Sequence, residues 1–324
     1  MIAFRKLSLV LLGLIALASL SLSLFVGNDA VHTGQLMRAL TTDNSSLPHQ
    51  ILFLIRLPHA LTAFITGGLL ALAGALMQVL VRNPLADPYI LGTSSGAALV
   101  TLLLMMTGYS GLWLSTGAWL GSLASILLVF CLCNRKNAWN SQQLLLTGIA
   151  LACGFSALVS LVLFASPDAI LRGMLFWLVG DLSFAHVPFF EGLVLLIGLT
   201  ASLSVARDLN ILVRGENEAR ALGVNTQQLQ WKLYFLSSLL TATAVTLAGC
   251  IGFVGLIVPH LFRLFLGYDH RFLLPGCVLL GGSLLTLADL LARNLLFPLE
   301  LPVGIVMTLI GIPIFILLLQ KNAA

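Results

Sequence analysis

Apolar residues run along this chain in blocks of about twenty, separated by short polar breaks, rather than alternating or recurring at three-to-four spacing. That is the length a helix needs to cross the ~30 Å apolar core of a bilayer. Ten spans are predicted, over residues 5–27, 51–81, 89–107, 112–133, 142–165, 187–206, 231–250, 252–267, 272–296 and 303–320. The second exceeds the need and is expected to tilt or to project beyond the lipid. The eighth is short and holds Pro259, His260 and Arg263. Such a broken helix persists only where protein or water surrounds it. The expected fold is all-α: one polytopic transmembrane domain over 1–324, with a polar loop at about 206–231.

Composition agrees with this pattern. Of 324 residues, 59% are hydrophobic and 9% charged, with mean hydropathy +1.05. A soluble domain carries about a quarter charged residues. The net charge of +4 therefore describes loops rather than a nucleic-acid-binding face. The opening "MIAFRKLSLVLLGLIALASLSLSLFVG" has the basic start of a secretory signal, but its apolar run is too long for a signal core and reads as the first span. With the amino terminus inside, only Arg38, Arg56, Arg172 and Arg293 of the 16 Lys and Arg fall on the far side. The positive-inside rule then places both termini in the cytoplasm. The five cysteines lie in or beside apolar segments without a C-x-x-C pair, as packing residues do.

Several chemistries are excluded or weakened by motif. None of Lys6, Lys136, Lys232 and Lys321 follows a glycine, so no phosphate loop exists. There is no H-E-x-x-H, and the six histidines stand singly. Gly92-Thr93-Ser94-Ser95-Gly96 matches the hydrolase elbow G-x-S-x-G, which needs a strand before it. Here a proline-rich turn precedes a membrane helix, and the hydroxyls of Thr93, Ser94 and Ser95 are expected to cap it. An intramembrane hydrolase using Ser94 stays as an alternative, as does an ion-coupled carrier. The carrier would call for acidic or histidine relays at mid-membrane, whereas Asp181 and Glu191 lie near span ends.

Polar features mark the remaining candidates. Asp289 and Arg293 stand i, i+4 and are expected to pair across one helical turn. "GENEARALG", Gly215 to Gly223, reads as a short helix framed by glycine turns, either a solvated connector or a docking helix for a cytoplasmic partner. Leu72-Ala73-Gly74 recurs as Leu247-Ala248-Gly249, a sign of close helix packing or of pseudo-repeated halves. "RNPLADP", Arg82 to Pro88, breaks the apolar pattern between spans two and three.

Taken together, "IRLPHALTAFITGGLLALAGALMQVLVRNPLADPYILGTSSGAA", "GENEARALGV", "GCIGFVGLIVPHLFRLFLGYDHRFLLPG", "LADLLAR" and "ELPVGIVMTLIGIPIFILLL" resemble, in order and spacing, the permease subunits of type II ABC importers. That family takes up iron–siderophore complexes, haem and vitamin B12, and the resemblance covers about residues 5–320. It implies a homodimer enclosing one pathway, two ATPase subunits beneath and a periplasmic binding protein above. The chain itself would carry no cofactor or metal, with ATP and Mg on the partner ATPase. Gly215, Glu216, Ala219, Arg220, Leu222 and Gly223 would contact that ATPase. Ser141, Gln142 and Leu145 match the family's cytoplasmic gate, with Gln142 bulkier than the small hydroxyl residue of the B12 permease pattern. Arg56 and Arg293 match arginines that receive acidic groups of the binding protein, and His59 stands where the family often has another arginine. Asn83, Pro84 and Asp87 are expected to shape the turn after span two.

Overall fold

A computed structural model of the chain describes residues 2–27, 34, 36–37, 46–133, 141–182, 187–296 and 298–323. Among these residues there is helix and no strand. In chain order the helices are α1 (Ile2–Phe25), α2 (Leu47–Val81), α3 (Thr93–Met106), α4 (Leu112–Cys133), α5 (Ser141–Ala165), α6 (Asp168–Val179) and α7 (Phe189–Ser204). They continue as α8 (Ala206–Leu212), α9 (Glu216–Ala221), α10 (Thr226–Ala248), α11 (Val254–Leu266), α12 (His270–Asn294) and α13 (Val303–Ala323). Six of them, α1, α2, α4, α5, α10 and α12, are long and apolar enough to cross a bilayer. The pair α7–α8, bent by 60°, makes a seventh unit, while α3, α11 and α13 are shorter apolar helices. Each predicted span falls on one of these units.

The differences have local causes. α6 lies in what the sequence pattern leaves as a connection, because its 12 residues are too few to register as a span. Its start is nonetheless marked by Pro167 at the N-cap and Asp168 in the first turn. α10 begins at Thr226 rather than 231, because Asn225 caps it, its Oδ1 accepting from Gln228 N–H at 3.1 Å. α2 reaches 35 residues and includes a π-helical turn at Ile51–Arg56.

α2 occupies the centre, with Leu69–Met77 buried on every side, as expected of a helix apolar all round. α10, α11 and α12 pack against it. Without a hydrophobic driving force between helices in lipid, close approach depends on small residues. A Cβ on Gly281 of α12 would lie 2.6 Å from the Gly67 carbonyl oxygen of α2, so both backbones touch only because both residues are glycine. The two Leu-Ala-Gly echoes share this use with different neighbours: Gly74 meets Gly255 of α11, and Gly249 (φ +67°) meets Trp177 of α6. Buried hydroxyls of Thr241, Ser283 and Thr286 return to carbonyls one turn back at 2.7–2.8 Å, which satisfies these three donors within their own helices.

Candidate functional site

α2 ends because Arg82 takes a left-handed conformation (φ +54°), which sends Asn83 N–H back to Gln78 O at 3.2 Å. Asn83 Oδ1 accepts from Leu85 N–H at 2.9 Å, and Pro84 follows it. Asp87 Oδ1 accepts from Tyr89 N–H at 2.8 Å and caps a one-turn 3-10 helix, Pro88–Leu91. Burial pushes the Asp87 carboxyl up to about 6, opposed by that amide bond. Tyr89 Oη in turn accepts from Ile251 N–H at 3.1 Å, fastening the turn to the start of α11. The break after α2 is thus a built joint, in which Asn83 and Asp87 each close a local hydrogen bond.

What meets this joint is α9. Gly215 (φ +150°) and Gly223 (φ +81°) frame the helix, and both positions lie where only glycine is unstrained. Ala219 is buried and anchors it, while Arg220 and Leu222 point outward, Leu222 being 66% exposed. Glu216 accepts from both Arg82 and Arg220, and Arg220 Nε also donates to Thr226 Oγ1 at 3.1 Å. Burial alone would raise the Glu216 carboxyl, but Arg82 and Arg220 outweigh it and hold the group below the usual carboxylate range. One carboxylate therefore ties the end of the central helix to an exposed polar helix. Spacing could not show this link, because the partners lie 134 residues apart.

At the other end of α2 the expected docking residues turn inward. Arg56 is 2% exposed, and its Nη1 donates to Leu24 O at 2.9 Å, at the end of α1 where carbonyls lack helical partners. Arg293 pairs with Asp289 (Nε to Oδ2, 3.1 Å), as the spacing predicts, and also donates to Ser23 Oγ at 2.9 Å. His59 Nδ1 stands 3.6 Å from the same Asp289 oxygen. Arg56, His59 and Arg293 are therefore internal ties among α1, α2 and α12, which corrects the expectation of exposed rim charges. Low exposure explains it: a charge in this setting needs an internal partner.

Two further expectations need adjustment. α3 starts from Gly92 (φ +74°) with no side-chain cap, and Thr93 Oγ1 is buried without a hydrogen-bond partner, so the hydroxyls there do not cap the helix. No strand precedes Ser94, which excludes the elbow geometry. Of the gate residues, Gln142 is exposed and Leu145 half-buried near the start of α5, while the Ser141 side chain lies outside the described residues. Arg38, Arg135 and Lys136, used in assigning sides, also lie outside them.

The FecCD transport family matches residues 14–321. The hemin transport permease HmuU of Yersinia pestis is 42% identical over 290 residues, covering 87% of this chain and 86% of that protein. The vitamin B12 import permease BtuC of Vibrio cholerae is 40% identical over 284 residues, covering 86% of this chain and 85% of the relative. A solved structure described as an inward-facing metal-chelate type ABC transporter superposes with TM-score 0.86 at 35% identity, covering 98% of this chain and 99% of that one. With the permeases that share its sequence and its bundle, the chain belongs to the FecCD transport family: it is a multi-pass permease subunit of an ABC importer, a transport component rather than an enzyme.

Proposed function

We propose that two copies of this chain form the pathway of an importer in a bacterial inner membrane, with both termini and α9 in the cytoplasm. The cargo is a bulky metal chelate: an iron–siderophore, haem or a corrinoid. The hemin and vitamin B12 relatives and the metal-chelate transporter support that class. A periplasmic binding protein delivers the cargo, and a pair of ATPase subunits holding ATP and Mg docks beneath. The observation that carries the reading is the chain of contacts from exposed Arg220 through Glu216 to Arg82 at the end of α2.

In this mechanism α9 is the part the ATPase grips. Arg220 and Leu222 offer the contact, Ala219 seats the helix, and the turns at Gly215 and Gly223 set its angle. When the ATPase subunits close on ATP, α9 moves with them, and the Glu216–Arg82 pair carries the displacement into the most buried helix of the bundle. The pathway then opens on alternate faces, with Gln142, Leu145 and Ser141 at its cytoplasmic end. α5 suits a seam between copies, since it leaves Leu146, Leu161 and Phe164 exposed, the last by 89%.

The test is uptake in proteoliposomes containing permease and ATPase, with haem, cobalamin and a ferric siderophore offered in turn. ATP-dependent uptake of one of them is expected. Arg220→Glu should cut uptake about tenfold or more and weaken ATPase retention while leaving insertion intact, because it reverses an exposed charge away from lipid. Wild-type uptake together with wild-type complex stability would make α9 a mere connector.

A further inference from the structure

Beside α9, a cavity of about 380 Å³ lies between the last turns of α2 and α11 and the start of α12. Its lining includes Gln78, Arg82, His260, Arg263, Tyr268 and His270, and no carboxylate. Arg82 is committed to Glu216. Arg263 is not committed: its Nη2 donates to the neutral Gln78 Oε1 at 2.5 Å, and among the described residues it forms no ion pair. A half-buried cation without a counter-ion is costly, and an anion in the cavity would offset that cost.

His270 supplies an independent observation. It is 2% exposed, and its Nε2 has no hydrogen-bond partner. Its Nδ1 and its backbone N–H both meet Asn210 Oδ1, at 2.7 and 2.9 Å. The amide orientation is fixed in turn, because Asn210 Nδ2 donates to Asp269 Oδ1 at 2.9 Å. An amide oxygen can only accept, so the Nδ1 carries the proton. Nε2 is left to accept from a ligand hydroxyl.

We propose that this cavity binds a phosphate-bearing anion, the chemistry shared by an anionic phospholipid headgroup and free phosphate. Arg263 takes the phosphate oxygens, joined by the guanidinium nitrogens of Arg82 that Glu216 does not engage, and His270 Nε2 takes a hydroxyl of the same ligand. The surroundings fit the level of lipid headgroups: the cavity opens where helices end, and Tyr268 at its mouth is 65% exposed. A second cavity, sharing Val213 and Tyr268 with the first, adds Arg214 and the Arg5–Asp269 pair. Basic pockets between membrane helices on the cytoplasmic side hold such headgroups. Only the choice of leaflet rests on the proposed cytoplasmic placement of α9.

The test uses the purified permease without ATPase or cargo, so a failure of coupling or of cargo assignment would leave the result untouched. Nanodiscs of equal parts phosphatidylglycerol and phosphatidylcholine are followed by native mass spectrometry for retained lipid. Preference for phosphatidylglycerol by about fivefold or more is expected, kept by Arg263→Lys and lost in Arg263→Gln. Millimolar inorganic phosphate should displace the retained lipid. Phosphate binding in detergent that depends on Arg263, without lipid enrichment, would identify the free anion as the ligand. Arg82→Gln, at an exposed loop position, gives the same comparison should Arg263→Gln fail to fold. Equal lipid and phosphate binding by wild type and both Gln variants would overturn the proposal.

Discussion

Asp289 shows how a single side chain can hold three helices. It faces Arg293 and His59 at 3.1 and 3.6 Å, and Arg293 reaches across to Ser23. Removing one partner from a buried pair leaves the other uncompensated, which costs about 3–5 kcal/mol. Asp289→Asn is therefore expected to lower the thermal midpoint of the detergent-solubilised permease sharply. The double change Asp289→Leu with Arg293→Met should recover most of that loss, because no charge is then stranded; a single variant as stable as wild type would refute the tie. Asp87 gives a pH signature of opposite sense to an ordinary ion-paired carboxylate. Its folded-state value, about 6, lies above that of an unfolded Asp, so its contribution is complete below about 4 and is lost as pH rises through 6. Melts of wild type and Asp87→Asn from pH 5 to 7.5 should diverge as pH rises, with wild type losing ground. Parallel profiles would mean that the carboxylate is solvated.

For elements, the length of apolar blocks reveals which segments are helices but not which faces meet. α2 and α12 could be read as spans directly, and the i, i+4 pairing of Asp289 with Arg293 was legible too. The contact of Gly67 with Gly281 was not, since glycines are common in membrane helices that pack quite differently. α6 escaped because 12 residues fall below spanning length, and Arg56 was misplaced because an arginine near a span end looks the same whether it faces solvent or a neighbouring helix. α9 was legible as a helix from its flanking glycines, whereas its tie to Arg82 depends on tertiary geometry alone. Packing also predicts unequal costs for one substitution. Gly281→Ala puts a methyl 2.6 Å from the Gly67 oxygen and should cost about 1–3 kcal/mol, whereas Gly154→Ala in α5 meets nothing within 4 Å. Thermal midpoints of the two variants in one detergent decide it; equal values would mean that α2 and α12 separate freely.

Across the whole molecule, α1 and α12 run parallel and are fastened at both ends. Arg5 meets Asp269 at 3.5 Å where the two helices begin, and Ser23 meets Arg293 where they finish. The partners are 264 and 270 residues apart in the chain. α1 leaves the ribosome long before α12, so Arg56 can reach it early while Asp269 and Arg293 cannot. At ~5–20 residues per second, roughly 15–50 s pass before α12 exists. During that interval α1 sits in the membrane with Arg5 and Ser23 unanswered, available to insertion factors or to a neighbouring nascent chain. Ribosome-stalled chains ending before residue 269 should therefore crosslink from position 23 to the insertion machinery, and chains extended past α12 should not. Persistent crosslinking in the finished protein would mean that synthesis order leaves no such window, and that α1 never closes onto the bundle.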